Sequence, residues 1–149
     1  MVTQTTIDAF NTEITVKFLK PIYNTNGGSG LPQVSDFALS LSGGTATLAS
    51  ATPTAISGGF GPEFKLKFST SGVADGNETI TVTPIANQLW DIDGTVVSSS
   101  QSNNTVDMNL SFMNPIVNFE HNGSQATYNS MIHVAGDVYA LAYEGASNK

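Results

Sequence analysis

Ile14-Thr15-Val16-Lys17-Phe18 sets an apolar side chain at every second position, with Thr15 and Lys17 between them. Successive side chains of an extended chain point to opposite faces, so this spacing predicts a strand with one face buried and the other in water. The pattern returns at Phe37, Leu39 and Leu41, and at Phe64, Leu66 and Phe68 with Lys65 and Lys67 interleaved. It returns again at Ile80 and Val82 among threonines, and at Val106, Met108 and Leu110 with Asp107 and Asn109 outward. No window holds the i, i+3, i+4, i+7 spacing of a three-turn amphipathic helix. The predicted class is all-β.

Between these runs lie Asn26-Gly27-Gly28-Ser29-Gly30, Ser42-Gly43-Gly44, Ser57-Gly58-Gly59, Asp75-Gly76-Asn77 and Asp93-Gly94, which supply the positive-φ residues of tight connections. Seven or so short strands follow. Their spacing predicts two sheets packed as a sandwich with Greek-key connections, since a single sheet would leave one apolar face uncovered. Lys17, Lys65 and Lys67 are expected to guard sheet edges against pairing with other chains.

After Leu110 the chain turns richer in aromatic residues and carries both histidines, placing a boundary near Ser111. Residues 1–111 form the expected sandwich and 112–149 a C-terminal β extension. Within the extension, Met131 to Val134 and Val138 to Tyr143 flank Gly136-Asp137 and predict a β-hairpin. A lone hairpin is marginal in water, so it is expected to dock, to pair with a second copy, or to belong to a larger domain.

Composition narrows the function classes. The 149 residues contain no cysteine, which excludes disulfides and thiolate metal sites. Charged residues make up only 11%, and five lysines without any arginine leave a net charge of −7. Phosphate recognition relies on clustered Lys and Arg, so nucleic acid is a poor partner. An acidic surface rich in Ser and Thr suits a secreted protein. No apolar run approaches the roughly eighteen residues of a membrane span, and MVTQTTIDAF lacks the basic and apolar regions of a signal peptide. An export signal, if the protein is secreted, is expected outside this sequence.

Four segments together carry a family resemblance: ITVKFLKPIYNTNGGSG, VSDFALSLSGGTATLASATP, DGNETITVTP and LWDIDGTVVSSSQSNNTV. From about Ile14 to Leu110 the chain resembles the bacterial immunoglobulin-like repeats of large surface and secreted proteins of marine bacteria, including swimming-type surface proteins. The resemblance implies an immunoglobulin-like sandwich that acts as a spacer or adhesive module in a series. Where that family reads Ser-Glu-Pro-Val-Tyr and Tyr-Asp-x-x-Gly-Asn, this chain has Leu19-Lys20-Pro21-Ile22-Tyr23 and Trp90-Asp91-Ile92-Asp93-Gly94-Thr95. The acidic residue before the proline and the asparagine after the glycine are therefore both replaced. Phe119 to Glu144, with TYNSMIHVAGDVYALAY, resembles the opening of a propeller-type repeat.

Candidate sites are few. Asp75, Glu78, Asp91 and Asp93 lie in or beside turns and could converge at one end of a sandwich as oxygen ligands for calcium. An EF-hand is excluded, because the twelfth position from Asp91 is Ser102. Trp90 and Tyr23 are the candidate rings for stacking on a sugar. His121 and His133 lack a third nitrogen ligand for zinc. No cysteine, nucleophile elbow or singled-out carboxylate pair marks a catalytic centre. Four Asn-x-Ser/Thr matches are what chance supplies in a chain this rich in those residues.

The expectation is a non-enzymatic, extracellular structural or adhesion module. It would act without a cofactor, beside neighbouring repeats or self-associated through its C-terminal hairpin. The alternatives are a carbohydrate- or calcium-dependent binding module centred on the Trp90 to Gly94 loop, with a cell-surface glycan as partner, and a non-catalytic piece of a secreted enzyme.

Overall fold

The computed structural model describes residues 1–111 and, beyond them, the strands Phe119–His121, Ser124–Ala126, Ser130–Val134 and Asp137–Leu141. The chain divides into two compact units, Met1–Ser111 and Phe112–Lys149. No α-helix occurs among the described residues, and every named pair of strands is antiparallel. The protein is all-β.

In the first unit the strands are β1 (Val2–Ile7), β2 (Glu13–Phe18), β3 (Ile22–Tyr23), β4 (Phe37–Ser42), β5 (Thr47–Leu48) and β6 (Ala55–Ser57). They continue as β7 (Glu63–Lys67), β8 (Thr70–Ser71), β9 (Thr79–Pro84), β10 (Trp90–Asp91) and β11 (Thr105–Asp107). One sheet has the order β1-β2-β7-β6 and a second the order β11-β9-β4, while β3 with β10 and β5 with β8 form short two-stranded ladders. A single 3-10 turn, Val34–Asp36, leads into β4.

Alternation decides what each sheet buries. Ile14, Val16 and Phe18 from β2 and Phe64 and Leu66 from β7 point inward, opposite Phe37 and Leu39 from β4 and Ile80 and Val82 from β9. All nine belong to one core cluster. The rings of Phe18 and Phe37 meet across the gap with centroids 6.5 Å apart, and Phe64 packs edge-on to Phe18 at 6.3 Å. Two sheets facing one another across a shared apolar core form a sandwich.

The lysines differ from expectation. Lys17, Lys65 and Lys67 lie on β2 and β7, the two inner strands of the four-stranded sheet, whose margins are β1 and β6. They occupy the solvent face, and Lys65 pairs there with Glu13 at 3.1 Å. Alternation places a residue on a face but is silent about which strands end up at a margin.

Strands β1 and β11 lie side by side, at the margins of different sheets. Side-chain bonds tie β1 and the turn after it to the residues flanking β11: the Val2 N–H donates to Gln101 Oε1, Thr5 Oγ1 to the Asn103 carbonyl and Asn11 Nδ2 to the Asn109 carbonyl. Asn11 Oδ1 accepts the Asn109 N–H at 2.8 Å, so its amide stands in for a peptide group. Partners rise together in number along both strands, so the first and last strands of the unit run in the same sense. The unit begins at one pole, beside Gln101, and ends at the other, beside Asn11. At about 3.3 Å per residue, β1 alone sets these poles roughly 17 Å apart.

In the second unit β12 (Phe119–His121) pairs with β13 (Ser124–Ala126), and β14 (Ser130–Val134) pairs with β15 (Asp137–Leu141). The predicted hairpin is thus present as β14 and β15. Val134 lies opposite Asp137, which opens the returning strand instead of belonging to the turn. Ala142 and Tyr143, expected to prolong that strand, lie outside the described residues. His121 and His133 occupy β12 and β14, and their side chains likewise lie outside what is described.

Candidate functional site

Glu78 immediately precedes β9 and is in phase with Ile80 and Val82, so its side chain enters the interior. It is fully buried. Oε1 accepts the N–H groups of Thr45 and Ala46, both at 3.0 Å, and Oε2 those of Asp75 at 3.0 Å and Gly76 at 3.1 Å. Burial pushes the carboxyl up, but the N–H groups of Ala46, Asp75 and Thr45 outweigh it and hold the pKa at about 2. The loop after β4 must approach closely to donate. Gly44 has φ +57°, and a Cβ there would overlap the Glu78 carboxylate. Glu78 is therefore a latch between two turns, with its oxygens committed to backbone instead of to a cation.

Asp75, the nearest of the other candidate ligands, accepts the Asn77 N–H at 3.0 Å in the same turn. Asp91 and Asp93 belong to a different loop. Asp91 Oδ1 accepts the N–H groups of Asp93 and Thr95, shaping a tight reversal in which Gly94 has φ +80°. Both carboxylates face Lys20: its ammonium bonds to Asp93 Oδ2 and lies 3.8 Å from Asp91 Oδ2. Asp93, with Asp91 behind it, raises the pKa of Lys20. Lys20 thus occupies the place between two carboxylates that a cation would take. The four candidate ligands do not converge, and among the described residues no three His, Cys, Asp or Glu gather into a metal-holding group.

Trp90 and Tyr23 are register partners in the ladder of β10 with β3, which puts both rings on one face. Trp90 is half-buried, whereas Tyr23 is only 7% exposed. Phe60 packs on Tyr23 with centroids 6.4 Å apart, and the Gly28 backbone lies over Tyr23 and Ile92. Tyr23, one of the two candidate stacking rings, is thus a buried residue with the exposed Phe60 ring tilted beside it. Trp90 alone does not make a platform.

Beside this ladder a cleft of about 370 Å³ opens at the pole where the unit begins. Buried Ile22 and Val97 form its floor, and exposed Met1, Leu19 and Val96 form its walls. On its polar rim Lys20 is ion-paired, and Gln101 accepts from the Val2 N–H and donates to the Ser98 carbonyl. No sequence pattern marked this cleft, because its walls come from segments far apart in the chain. The role of Lys20 was equally hidden, since its partners are more than seventy residues away.

Comparison with protein-family models, with curated proteins and with solved structures finds no match to this chain.

Proposed function

We propose that the chain is a non-enzymatic, extracellular structural or adhesion module whose first unit is an immunoglobulin-like sandwich serving as a spacer in a longer series. One observation carries this reading: β1 and β11 run side by side in the same sense, so the chain enters at one pole of the unit and leaves at the other. A module built this way adds length. Pulling on its ends loads the seam between these strands lengthwise, so that its hydrogen bonds must break together.

The strand orders support the immunoglobulin-like assignment. Taken in chain order, the seven strands of the two larger sheets give A-B-E-D on one side and C-F-G on the other. The fate of the buried polar groups supports a scaffold. Glu78, Asp36, Asn11 and Asn104 all bond to backbone, and among the described residues no buried side-chain nitrogen or oxygen lacks a partner. Functional sites keep polar groups poised for a ligand, whereas these are consumed by loops and seams. The acidic, hydroxyl-rich, arginine-free composition fits an extracellular setting.

The test is to stretch single full-length chains from their two ends. A spacer predicts one abrupt rupture of the first unit, releasing about 3.6 Å for each of its residues less its folded length. Gradual extension at low force in several small steps would contradict it.

A further inference from the structure

Among the described residues an Asn or Asp stands directly before a glycine at Asn26-Gly27, Asp75-Gly76 and Asp93-Gly94. Such a pair is chemically labile, because glycine has no side chain to keep its nitrogen from the side-chain carbonyl carbon of the residue before it. The fold protects two of the three. The Gly76 N–H donates to Glu78 Oε2 at 3.1 Å, and the Gly94 N–H donates to the Asp91 carbonyl at 2.9 Å. Asp93 is held as well by Lys20. Among the described residues no hydrogen bond engages the Gly27 N–H or the Asn26 amide; the bonds of that loop are made by Asn24, Thr25, Ser29 and Gly30.

We propose that Asn26 is a site of spontaneous deamidation, whose product adds a carboxylate beside the Asp91 to Gly94 reversal. Asn26, Gly27 and Gly28 form the tip of a loop closed by the Thr25–Ser29 bridge. Asn26 and Gly27 are exposed, and a Cβ on Gly27 would meet nothing within 4 Å, so no neighbour shields the reacting atoms. Gly28 is packed, since a Cβ there would stand 3.3 Å from Ile92 Cδ1; the loop is anchored behind its reactive pair. In the reaction a bond forms from the Gly27 nitrogen to Asn26 Cγ and the Cγ–Nδ2 bond breaks. Nδ2 leaves as ammonia, carrying the proton that the Gly27 nitrogen gives up. Water then opens the cyclic imide. Breaking its Cγ–N bond leaves an ordinary aspartate, and breaking the bond from the main-chain carbonyl carbon leaves an isoaspartate whose backbone runs through Cβ. Water is consumed and ammonia released, with no oxidation or reduction.

The place of the new charge sets its effect. A Cβ on Gly94 would stand 3.0 Å from Asn26 Oδ1, so the amide lies against the reversal that carries Asp91 and Asp93. Among the described residues Lys20 is the one cation paired with those two carboxylates. A third carboxylate there goes unneutralised, and its repulsion loosens the reversal more at low salt than at high. The site does not depend on the spacer reading, so either can fail alone.

Peptide mapping by tandem mass spectrometry tests the proposal on the full chain aged in mildly alkaline buffer and, in parallel, in urea. The segment holding Asn26 should gain the mass of an NH2-to-OH exchange and split into two forms, one of them a substrate for isoaspartyl methylation, at nearly the same rate in both solutions. The fragment spectra resolve it from Asn122-Gly123, which lies beyond the described residues. Asp75→Asn is the control, because it sets the same pair in a turn whose glycine N–H is held. Residue 75 of that variant should react at least about tenfold more slowly in buffer than in urea, since in buffer it waits on local opening. Asp93→Asn serves equally where Asp75→Asn fails to fold. Asn26→Gln should abolish the change at this loop on the same timescale, and Asn26→Asp, which adds the charge alone, should melt below the native chain at low salt and approach it as salt rises. An Asn26 that survives in buffer while reacting in urea would overturn the proposal. So would a control residue that reacts equally fast in both solutions, or an Asn26→Asp chain that melts with the native one at low salt.

Discussion

The carboxylate of Glu78 shows how one side chain can fix two loops. Its folded pKa of about 2 against an ordinary 4.5 corresponds to about 3 kcal/mol of stability, at about 1.4 kcal/mol per unit. The folded value lies below the unfolded one, so this contribution is complete above about pH 5 and is lost as pH falls toward 2. Asp8, pulled down by the Glu13 and Thr12 N–H groups against its burial, adds to the same acid limb. Glu78→Gln should lower stability at pH 7 by about 3 kcal/mol and flatten most of the fall between pH 5 and 2, as read by denaturant titrations across pH. Gly44→Ala should be at least as damaging, since it combines a positive φ with overlap on the carboxylate. An unaltered acid limb in Glu78→Gln would remove the latch from the account. The inward direction of Glu78 was legible in its phase with Ile80 and Val82; its donors from the other turn were not, because Thr45 and Ala46 lie more than thirty residues away.

At the scale of elements, alternation alone identified β2, β4, β7, β9 and β11, whose inward residues build or pack on the core. It failed where pairing is set by distant chain. The lysine-bearing strands proved to be internal, and the short β3–β10 and β5–β8 ladders are too brief for a period to register. The β1–β11 seam was likewise invisible, because it is made by amide and hydroxyl side chains instead of a backbone ladder. Asn11, in the β1–β2 turn, closes one end of it and adopts φ +56°. Asn11→Gly keeps that backbone and removes only the side-chain bonds, for an expected loss of about 2 kcal/mol. Asn11→Ala loses the same bonds and adds left-handed strain of about 1 kcal/mol, so it should be the less stable of the two. Equal stability to the native chain in both variants, measured by urea unfolding, would show that the seam contributes nothing.

For the whole molecule, the readings diverge on what the Met1 pole does. A calcium-dependent module requires the Asp91–Asp93 loop to gain order from the ion, whereas Lys20 already supplies the positive charge there. Adding calcium or EDTA should therefore leave the melting temperature unchanged, and a calcium-dependent rise would return that loop to the centre of the function. The spacer reading makes its strongest claim about direction of load. The native chain has no cysteine, so handles can be attached at introduced cysteines without ambiguity. The most direct measurement compares the rupture force of the first unit pulled between Met1 and Ser111 with that of the same unit pulled between Ser57 and Ser42. The account predicts a severalfold higher force along the Met1–Ser111 axis, reduced toward the other value by Asn11→Gly; equal forces in both directions, or no effect of that substitution, would contradict it.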